Sequence, residues 1–286
     1  MSTIPTDNGA PYIPQGGSEK SETPTVQEKS TIARIGDYLG REIDSKQADL
    51  ISIYACFLTG FTSAISFGAC FIWCGFQTGN VAQLGLAIAR TFNPAPYGTD
   101  GFQRPDQQAL CSLLTFIIGA SLGRLGDRIG PKKRTWLVSA SFFQALLAMA
   151  GALAAHFSGE SGISLDRDGP SWVSPLGFVA LGFLSASLGL QGIIGKRVAS
   201  PLNTTIVLTT TWVEIWNDPF LLKLGPAPSR DVRVAGVFMV FLGAFASRAF
   251  VGTRCGVPGS IGILVGLRLV QVVWWALVKS PAPKNQ

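Results

Sequence analysis

The sequence predicts an all-α fold: a polytopic bundle of about six membrane-spanning helices, two short broken or re-entrant segments and a two-fold internal repeat. Three observations predict it. Only 14% of the 286 residues are charged, whereas soluble domains average about 25%. Six apolar runs are long enough to cross about 30 Å of hydrocarbon, which takes about 20 helical residues. Similar sequences also recur in the two halves of the chain.

The N-terminal segment differs from the rest in composition. Residues 1–29 are rich in Ser, Thr, Pro, Gly and charge, so they bury too little apolar surface to fold, and we expect a disordered tail. Within 30–45, the apolar side chains Ile35, Leu39 and Ile43 fall on one helical face. This pattern predicts an amphipathic helix lying on the membrane, and a solvated helix packed on a loop is the alternative.

Six apolar runs are predicted to span the membrane. They lie at 50–73, 107–126, 135–157, 173–194, 232–252 and 257–278. Two shorter apolar segments, 79–90 and 202–217, each follow a polar cluster and are marginal as full spans. The chain has six spans if these short segments re-enter and eight spans if they cross.

Two pairs of similar sequences relate the halves of the chain. LTGFTSA at 58–64 resembles ALGFLSA at 180–186, and FIIGASLGR at 116–124 resembles VFLGAFASR at 240–248. The offsets, 122 and 124 residues, are nearly the same, which predicts a duplicated unit. The resulting boundaries are a tail at 1–48, a transmembrane domain at 49–280 with halves near 50–157 and 173–279, and a tail at 281–286.

Loop charge distinguishes six spans from eight, because basic residues collect on cytosolic loops. The most basic loop carries Arg124, Arg128, Lys132, Lys133 and Arg134. Six spans place the N-terminal tail and most other basic residues on the same side, whereas eight spans place Lys223, Arg230 and Arg233 outside. We therefore expect six spans with both termini in the cytosol. Three spans in each half is an odd number, so the repeats should be inverted.

Two polar clusters precede the short segments and are predicted to bind substrate. The first holds Gln77, Thr78, Gly79, Asn80 and Gln83, and the second holds Asn203, Thr204 and Thr205. Inverted-repeat transporters bind substrate where broken helices meet near the bilayer midplane. The structural alternative is capping of exposed helix ends. A cavity lined by residues 77–83 and 203–211 favours transport, and dry packing there favours a scaffold.

Two charged residues occur within apolar segments, Glu214 and Arg268. Arg268 falls near the middle of the last predicted span, where a charge costs roughly 2.5–3.5 kcal/mol on insertion scales, so it should face protein or water. We expect Arg268 to bind a substrate anion and Glu214, a possible partner, to couple a proton. A structural salt bridge is the alternative. Gln144 occupies the repeat position that matches Arg268.

Other functional classes are not indicated by the sequence. It has no P-loop, Rossmann fingerprint, nucleophile elbow or zinc signature, so we expect no enzyme, catalytic residue, metal or cofactor. Its basic residues are not interleaved with aromatic ones, so we expect no nucleic acid. The expected partners are the lipid bilayer, a small-molecule substrate and further copies of the chain.

The stretch CFLTGFTSAISFGACFIWCGFQTGNVAQLGLAIAR at 56–90 resembles the YoaK-like family of integral membrane proteins, domain of unknown function 1275. The resemblance rests on Thr59-Gly60, Ser66-Phe67 and above all Gln77-Thr78-Gly79-Asn80 with Leu84-Gly85-Leu86, and it extends over about 45–280. The polar N-terminal tail is similar to that of fungal members. Family members often carry an acidic residue where this chain has Ser63, so the resemblance implies no proton coupling at that position. It implies the multi-pass architecture and carries no substrate.

These observations predict a secondary transporter or channel-like permease for a small solute. A non-transporting membrane scaffold or accessory subunit is the alternative, in which the repeats serve folding alone and the polar clusters only cap broken helices.

Overall fold

The computed structural model describes residues 31–92, 101–166, 169–206, 209–222 and 225–281. The tail predicted at 1–29 and the last residues, 282–286, lie outside these ranges. The described residues form ten α-helices: α1 Thr31–Gly40, α2 Asp49–Cys70, α3 Gln77–Phe92, α4 Arg104–Ser121, α5 Gly123–Ile129, α6 Arg134–Phe157, α7 Pro175–Val198, α8 Thr209–Trp216, α9 Pro228–Val251 and α10 Gly256–Leu277.

Six helical segments are long and apolar enough to cross a membrane, with mean hydropathy between 1.6 and 1.9. They are α2, α6, α7, α9, α10 and the combined α4–α5 segment Arg104–Ile129. The shortest has 22 residues and covers about 33 Å at 1.5 Å per residue. The six predicted spans are therefore confirmed, and the chain is an integral multi-pass membrane protein.

The first long helix of each half ends in the same unusual way. Phe71 follows α2 with φ 57°, and Ala199 follows α7 with φ 60°. Both residues adopt the left-handed conformation that terminates a helix, although neither is glycine. Each backbone N–H donates to the carbonyl four residues earlier, which closes the last turn and reverses the chain.

Two non-helical segments, 71–76 and 199–206, then run back into the bundle. The first returns along α2, where the Cys74 N–H donates to Ser66 Oγ at 3.3 Å. The second returns along α7, where Gln191 Nε2 donates to Thr205 Oγ1 at 3.0 Å. The segments meet at Gly75, where an added Cβ would lie 3.5 Å from Ile206 Cγ2. Both short segments therefore re-enter, and the eight-span alternative is wrong.

The contacts between helix ends show that the two halves are inverted. At one face, which we call the terminal face, the Ile43 N–H donates to Lys132 O and the Asp44 N–H to Lys279 O. At the opposite loop face, the loop 158–174 covers the end of α2, where the Ser164 N–H donates to Gly68 O. Helix α2 therefore runs from the terminal face to the loop face. Its repeat equivalent, α7, runs the other way, which confirms the inverted repeat.

The closest helix contacts join the first span of one half to the second span of the other. Helix α2 packs on α9, α4 packs on α7, and the third spans α6 and α10 pack on each other. Gly60 and Gly243 hold the α2–α9 crossing, because a Cβ on either would lie within 2.1 Å of a backbone carbonyl oxygen of the facing helix. Small residues allow this close backbone approach in membranes.

Helix α1 docks on the terminal face. The segment predicted to be an amphipathic helix at 30–45 is helical from Thr31 to Gly40. The Tyr38 hydroxyl donates to Ala276 O at 2.6 Å, and the buried guanidinium of Arg134 stacks 4.2 Å from the centre of the Tyr38 ring. The N-terminal and C-terminal ends of the described chain are thus held in contact at this face.

Candidate functional site

The centre of the bundle holds a fully buried arginine, Arg268 of α10. Its Nη1 donates to the side-chain oxygens of Gln144 in α6, Gln191 in α7 at 2.6 Å and Gln271 in α10 at 3.4 Å. All three acceptors are neutral amides. The sequence-based expectation that Arg268 faces protein rather than lipid agrees with this placement.

The internal repeat explains why Arg268 and Gln144 meet. They occupy equivalent positions, 124 residues apart, in the third spans α6 and α10, and these spans pack on each other. Residues that lie near a two-fold axis contact their own equivalents. The Arg268–Gln144 hydrogen bond therefore marks the pseudo-two-fold axis of the molecule.

Gln191 links this arginine to the second re-entrant segment. Its Nε2 lies 2.7 Å from Thr59 Oγ1, 2.9 Å from Ala55 O and 3.0 Å from Thr205 Oγ1. Thr59 in turn donates to Thr205 O at 2.8 Å. Because all these groups are buried, the hydrogen bonds satisfy the backbone of a segment that has no helical partners.

A small closed cavity lies on the terminal side of this network. The glutamines Gln144, Gln191 and Gln271 line it together with Thr205 and Ser141. Its volume of about 10 Å³ has room for about one water molecule. The central polar network is therefore nearly dry and closed to the terminal face in this structure.

The first polar cluster lies at the start of α3. Asn80 is 2% exposed, and its Nδ2 donates to Gln77 Oε1 at 2.8 Å, to Trp73 O at 3.2 Å and to Ser112 Oγ at 3.3 Å. Ser112 in α4 bonds Ser185 in α7 at 2.9 Å. These contacts hold the re-entrant segment of the first half against the spans of both halves.

A large cavity reaches this cluster from the loop face. Its volume is about 510 Å³, and Asn80, Gln83, Arg90 and Asp106 provide polar side chains in its wall. Arg90 donates to the Asp106 carboxylate at 2.5 Å, and this carboxylate also accepts the Gln103 N–H at 3.0 Å. The ion pair ties the end of α3 to the start of α4 at the cavity mouth.

Glu160 fixes the loop that covers the loop face. Its carboxylate accepts the Val173 N–H at 2.9 Å and the Ser174 N–H at 2.8 Å. Partial burial acts to raise the pKa of Glu160, but the hydrogen bonds from Ser174 and Val173 outweigh it and lower the pKa below its usual value. The charged form of Glu160 therefore stabilises the start of α7.

The remaining predicted site residues lie away from the centre. Thr78 and Gly79 are exposed on α3. Asn203 is exposed and accepts a hydrogen bond from Lys196 Nζ at 2.7 Å, while Thr204 is half-buried and accepts the Ile206 N–H. The structure therefore joins only Thr205 to Arg268, through Gln191, and the two polar clusters do not share one cavity.

The expected pairing of Glu214 with Arg268 is wrong. Glu214 is exposed on α8, and its carboxylate forms an ion pair with Arg233 of α9, in which Oε2 lies 2.9 Å from Nε. Arg233 also lies 3.8 Å from Asp218. The segment 202–217 forms only eight helical residues, so α8 is too short to carry Glu214 to the depth of Arg268.

Sequence reasoning missed several residues that hold these sites. The ion pair Arg90–Asp106 and the hydroxyls of Thr59 and Ser112 were not selected. Asp106 was detectable as an acid directly before the span predicted at 107–126. In the structure it lies in the first turn of α4, where its carboxylate accepts the N–H of Gln103, the N-cap residue. The hydroxyls give no such signal, because Ser and Thr also occur at spans as simple packing residues.

Comparison with protein families matches residues 51–274 to the family described as "Protein of unknown function (DUF1275)". The chain belongs to the DUF1275 family. The match runs from α2 into α10 and includes both re-entrant segments and Arg268, which confirms the resemblance found in the sequence. Comparison with curated proteins and with solved structures gave no match.

Proposed function

We propose that this DUF1275 protein is a secondary transporter or permease for a small solute. The observation that carries the proposal is the meeting of two re-entrant segments, one from each face, beside the buried network of Arg268. Inverted repeats with such broken elements form substrate sites near the bilayer midplane, and the repeats rock against each other to expose the site alternately.

The cavities support this proposal. The 510 Å³ cavity opens from the loop face and stops at Asn80, whereas the 10 Å³ cavity beside Gln191 lies towards the terminal face. Gly75 and Ile206 lie between them, and a Cβ on Gly75 would lie 3.0 Å from both Leu188 Cδ1 and Ser63 Oγ. A packed layer between two cavities, each with polar side chains in its wall, is the arrangement expected of a closed gate.

The scaffold alternative has one observation in its favour. Thr205 and the glutamines around Arg268 leave room for about one water molecule, which is the dry packing expected when a broken helix serves folding alone. A scaffold, however, has no need of a charged side chain at its centre, because a charge there is costly in a membrane.

We also propose that the terminal face is cytosolic. The basic residues Arg124, Arg128, Lys132 and Lys133 lie at this face, and such residues collect on the cytosolic side of membranes. Asn203, part of an Asn-Thr-Thr sequon, lies at the same face, so we expect it to be unmodified.

Reconstitution of the purified chain into proteoliposomes tests transport. Uptake is measured for a panel of labelled carboxylates, amino acids, sugars and inorganic ions, with empty liposomes as background. Gly75→Val fills the layer between the cavities and should abolish uptake. Gly85→Val is the matched control, because Gly85 is exposed on α3 and a Cβ there meets nothing within 4 Å.

Two results contradict the proposal. Uptake by the wild-type protein that equals the background for every solute favours the scaffold. Uptake that survives Gly75→Val at the level of Gly85→Val places any pathway elsewhere in the molecule.

A further inference from the structure

We infer that the solute is a small oxyanion, such as a carboxylate, and that one edge of the Arg268 guanidinium binds it. This inference rests on the proposed transport function and adds its substrate class. Three features carry it: the missing counter-charge, the division of the guanidinium into a used and an unused side, and the neutrality of its partners.

Arg268 has no counter-charge in the described part of the chain. The ion pairs found there join other residues, and no carboxylate lies within 4.0 Å of the Arg268 guanidinium nitrogens. A buried charge without a partner is strongly unfavourable, because neither water nor an opposite charge stabilises it. An anionic ligand supplies the missing charge.

The hydrogen bonds of Arg268 fall on one nitrogen. Nη1 makes all the contacts to Gln144, Gln191 and Gln271, whereas Nε and Nη2 are buried and have no hydrogen-bond partner among the residues that the structure describes. Nε and Nη2 form one edge of the planar guanidinium and direct two parallel N–H groups outward. That edge matches the two oxygens of a carboxylate, which it binds through two hydrogen bonds.

Glutamine, rather than glutamate, at these three positions preserves the ability of Arg268 to bind an anion. Glutamine oxygens hold Nη1 in place without neutralising the guanidinium, whereas a glutamate at any of the three positions would cancel the charge that attracts an anion. The three glutamines therefore orient Arg268 and leave its charge available.

The cavity beside the glutamines limits the size of the anion. It has room for about one water molecule, and Arg268 is not among the residues that line it, so space must open at the free edge of Arg268 when the repeats move. A small anion requires the least rearrangement. Formate, acetate and nitrate each present two oxygens of the required spacing. Chloride is also small, but it is a single atom and cannot offer a separate acceptor to each of the two donors.

Thermal unfolding of the full-length chain in detergent tests the site directly. The probes are sodium formate, acetate and nitrate, compared with sodium chloride at equal ionic strength and with acetamide, the neutral analogue of acetate. We expect at least one oxyanion to raise the melting temperature more than chloride, and acetamide to have no effect, since a ligand stabilises the state it binds.

Variants of two arginines show whether the stabilisation by anions depends on Arg268. Arg268→Gln should weaken the apparent affinity at least tenfold, and Arg268→Lys should retain part of it, because lysine keeps the charge and loses the paired donors. Arg248→Gln, an exposed arginine in α9, is the matched control and should bind as the wild type does. The comparison of acetate with acetamide uses wild-type protein and stays decisive even if Arg268→Gln does not fold.

Three results overturn the inference: equal stabilisation by acetate and acetamide, anion stabilisation that persists in Arg268→Gln, or no stabilisation by any of the three oxyanions beyond chloride. Proteoliposome uptake separates this failure from failure of transport. Uptake of neutral or cationic solutes that survives Arg268→Gln upholds transport and overturns the oxyanion. Oxyanion binding that depends on Arg268, with no uptake of any solute, upholds the site and refutes transport.

Discussion

Replacement of Gly60 by alanine tests how tightly the two halves of the bundle are packed. A Cβ at this position would lie 2.0 Å from Val240 O of α9, whereas Cβ atoms in proteins essentially never approach closer than 3.0 Å. Val240 O belongs to the helix backbone and cannot rotate away. Helices α2 and α9 must therefore separate by at least 1 Å, which disturbs the crossing that joins the first span of one half to the second span of the other.

The expected change in the free energy of unfolding follows from two opposing contributions. Overpacking that forces backbone shifts costs about 1–3 kcal/mol, and occasionally more. Alanine recovers up to about 1 kcal/mol of helix propensity over glycine. The net loss of about 1–2 kcal/mol should lower the melting temperature by about 2–8 °C for a chain of this size.

The assay is thermal unfolding in detergent, followed by tryptophan fluorescence, with Gly68→Ala as the control. Gly68 lies in the same helix, and a Cβ there meets nothing within 4 Å, so its replacement should leave stability unchanged or slightly raise it. Gly119→Ala should repeat the loss, because its Cβ would lie 2.0 Å from Ala186 O at the repeat-related α4–α7 crossing. If Gly60→Ala melts within about 1 °C of Gly68→Ala, the packing described for α2 and α9 is wrong.

Three further predictions concern the faces of the bundle. Asp106→Asn should lower stability by about 1–3 kcal/mol in thermal unfolding, because Asp106 is buried but its partner Arg90 is 29% exposed and partly screened. The stability contributed by Glu160 is present above its ordinary pKa of 4.5 and should be lost as pH falls through its lowered pKa in the folded state. The melting temperature of Glu160→Gln should therefore lack this part of the pH dependence. Leu222 and Leu165 are both more than 90% exposed and lie at opposite faces. In sealed microsomes, whose outer surface is cytosolic, an impermeant maleimide should therefore label Leu222→Cys and spare Leu165→Cys. Both variants are made in a background without accessible native cysteines.

Each of these predictions has a control. Asp231→Asn removes an exposed carboxylate and should cost less than Asp106→Asn, so equal losses contradict the role given to the Arg90 ion pair. A melting profile of Glu160→Gln that keeps the full acid dependence of the wild type assigns that dependence to other carboxylates. Labelling of Leu165→Cys alone reverses the proposed orientation.

The spans were predictable from sequence because lipid imposes one simple demand on a helix, an apolar surface of fixed length. The observed spans Asp49–Cys70 and Arg134–Phe157 begin and end within a few residues of the predicted ones. The repeat followed from the nearly constant offset between two short matches, and its inversion followed from the odd number of spans in each half. That offset also placed Gln144 opposite Arg268, since equivalent residues near a two-fold axis meet.

The pairing of charges was not predictable, because it depends on the depth at which each segment ends. Glu214 and Arg268 both lie in apolar sequence, which suggested a common interior position. Only eight residues of the segment around Glu214 are helical, so Arg233 of the following helix is nearer to it. Asp106 was missed because an acid in the first turn of a helix already has a local explanation, the capping of the helix N-terminus.

The contact between Arg268 and Gln144 has a consequence for the relative energies of the inward-open and outward-open conformations that the proposed transport requires. In a duplication with identical halves, the inward-open and outward-open conformations would be related by the two-fold axis and equal in energy. A position on the axis faces its own copy, so two arginines there would repel each other and only one half can carry the cation. The charge thus makes the halves unequal at their point of contact. For the transport function that we propose, the empty protein should therefore rest preferentially open towards one side of the membrane.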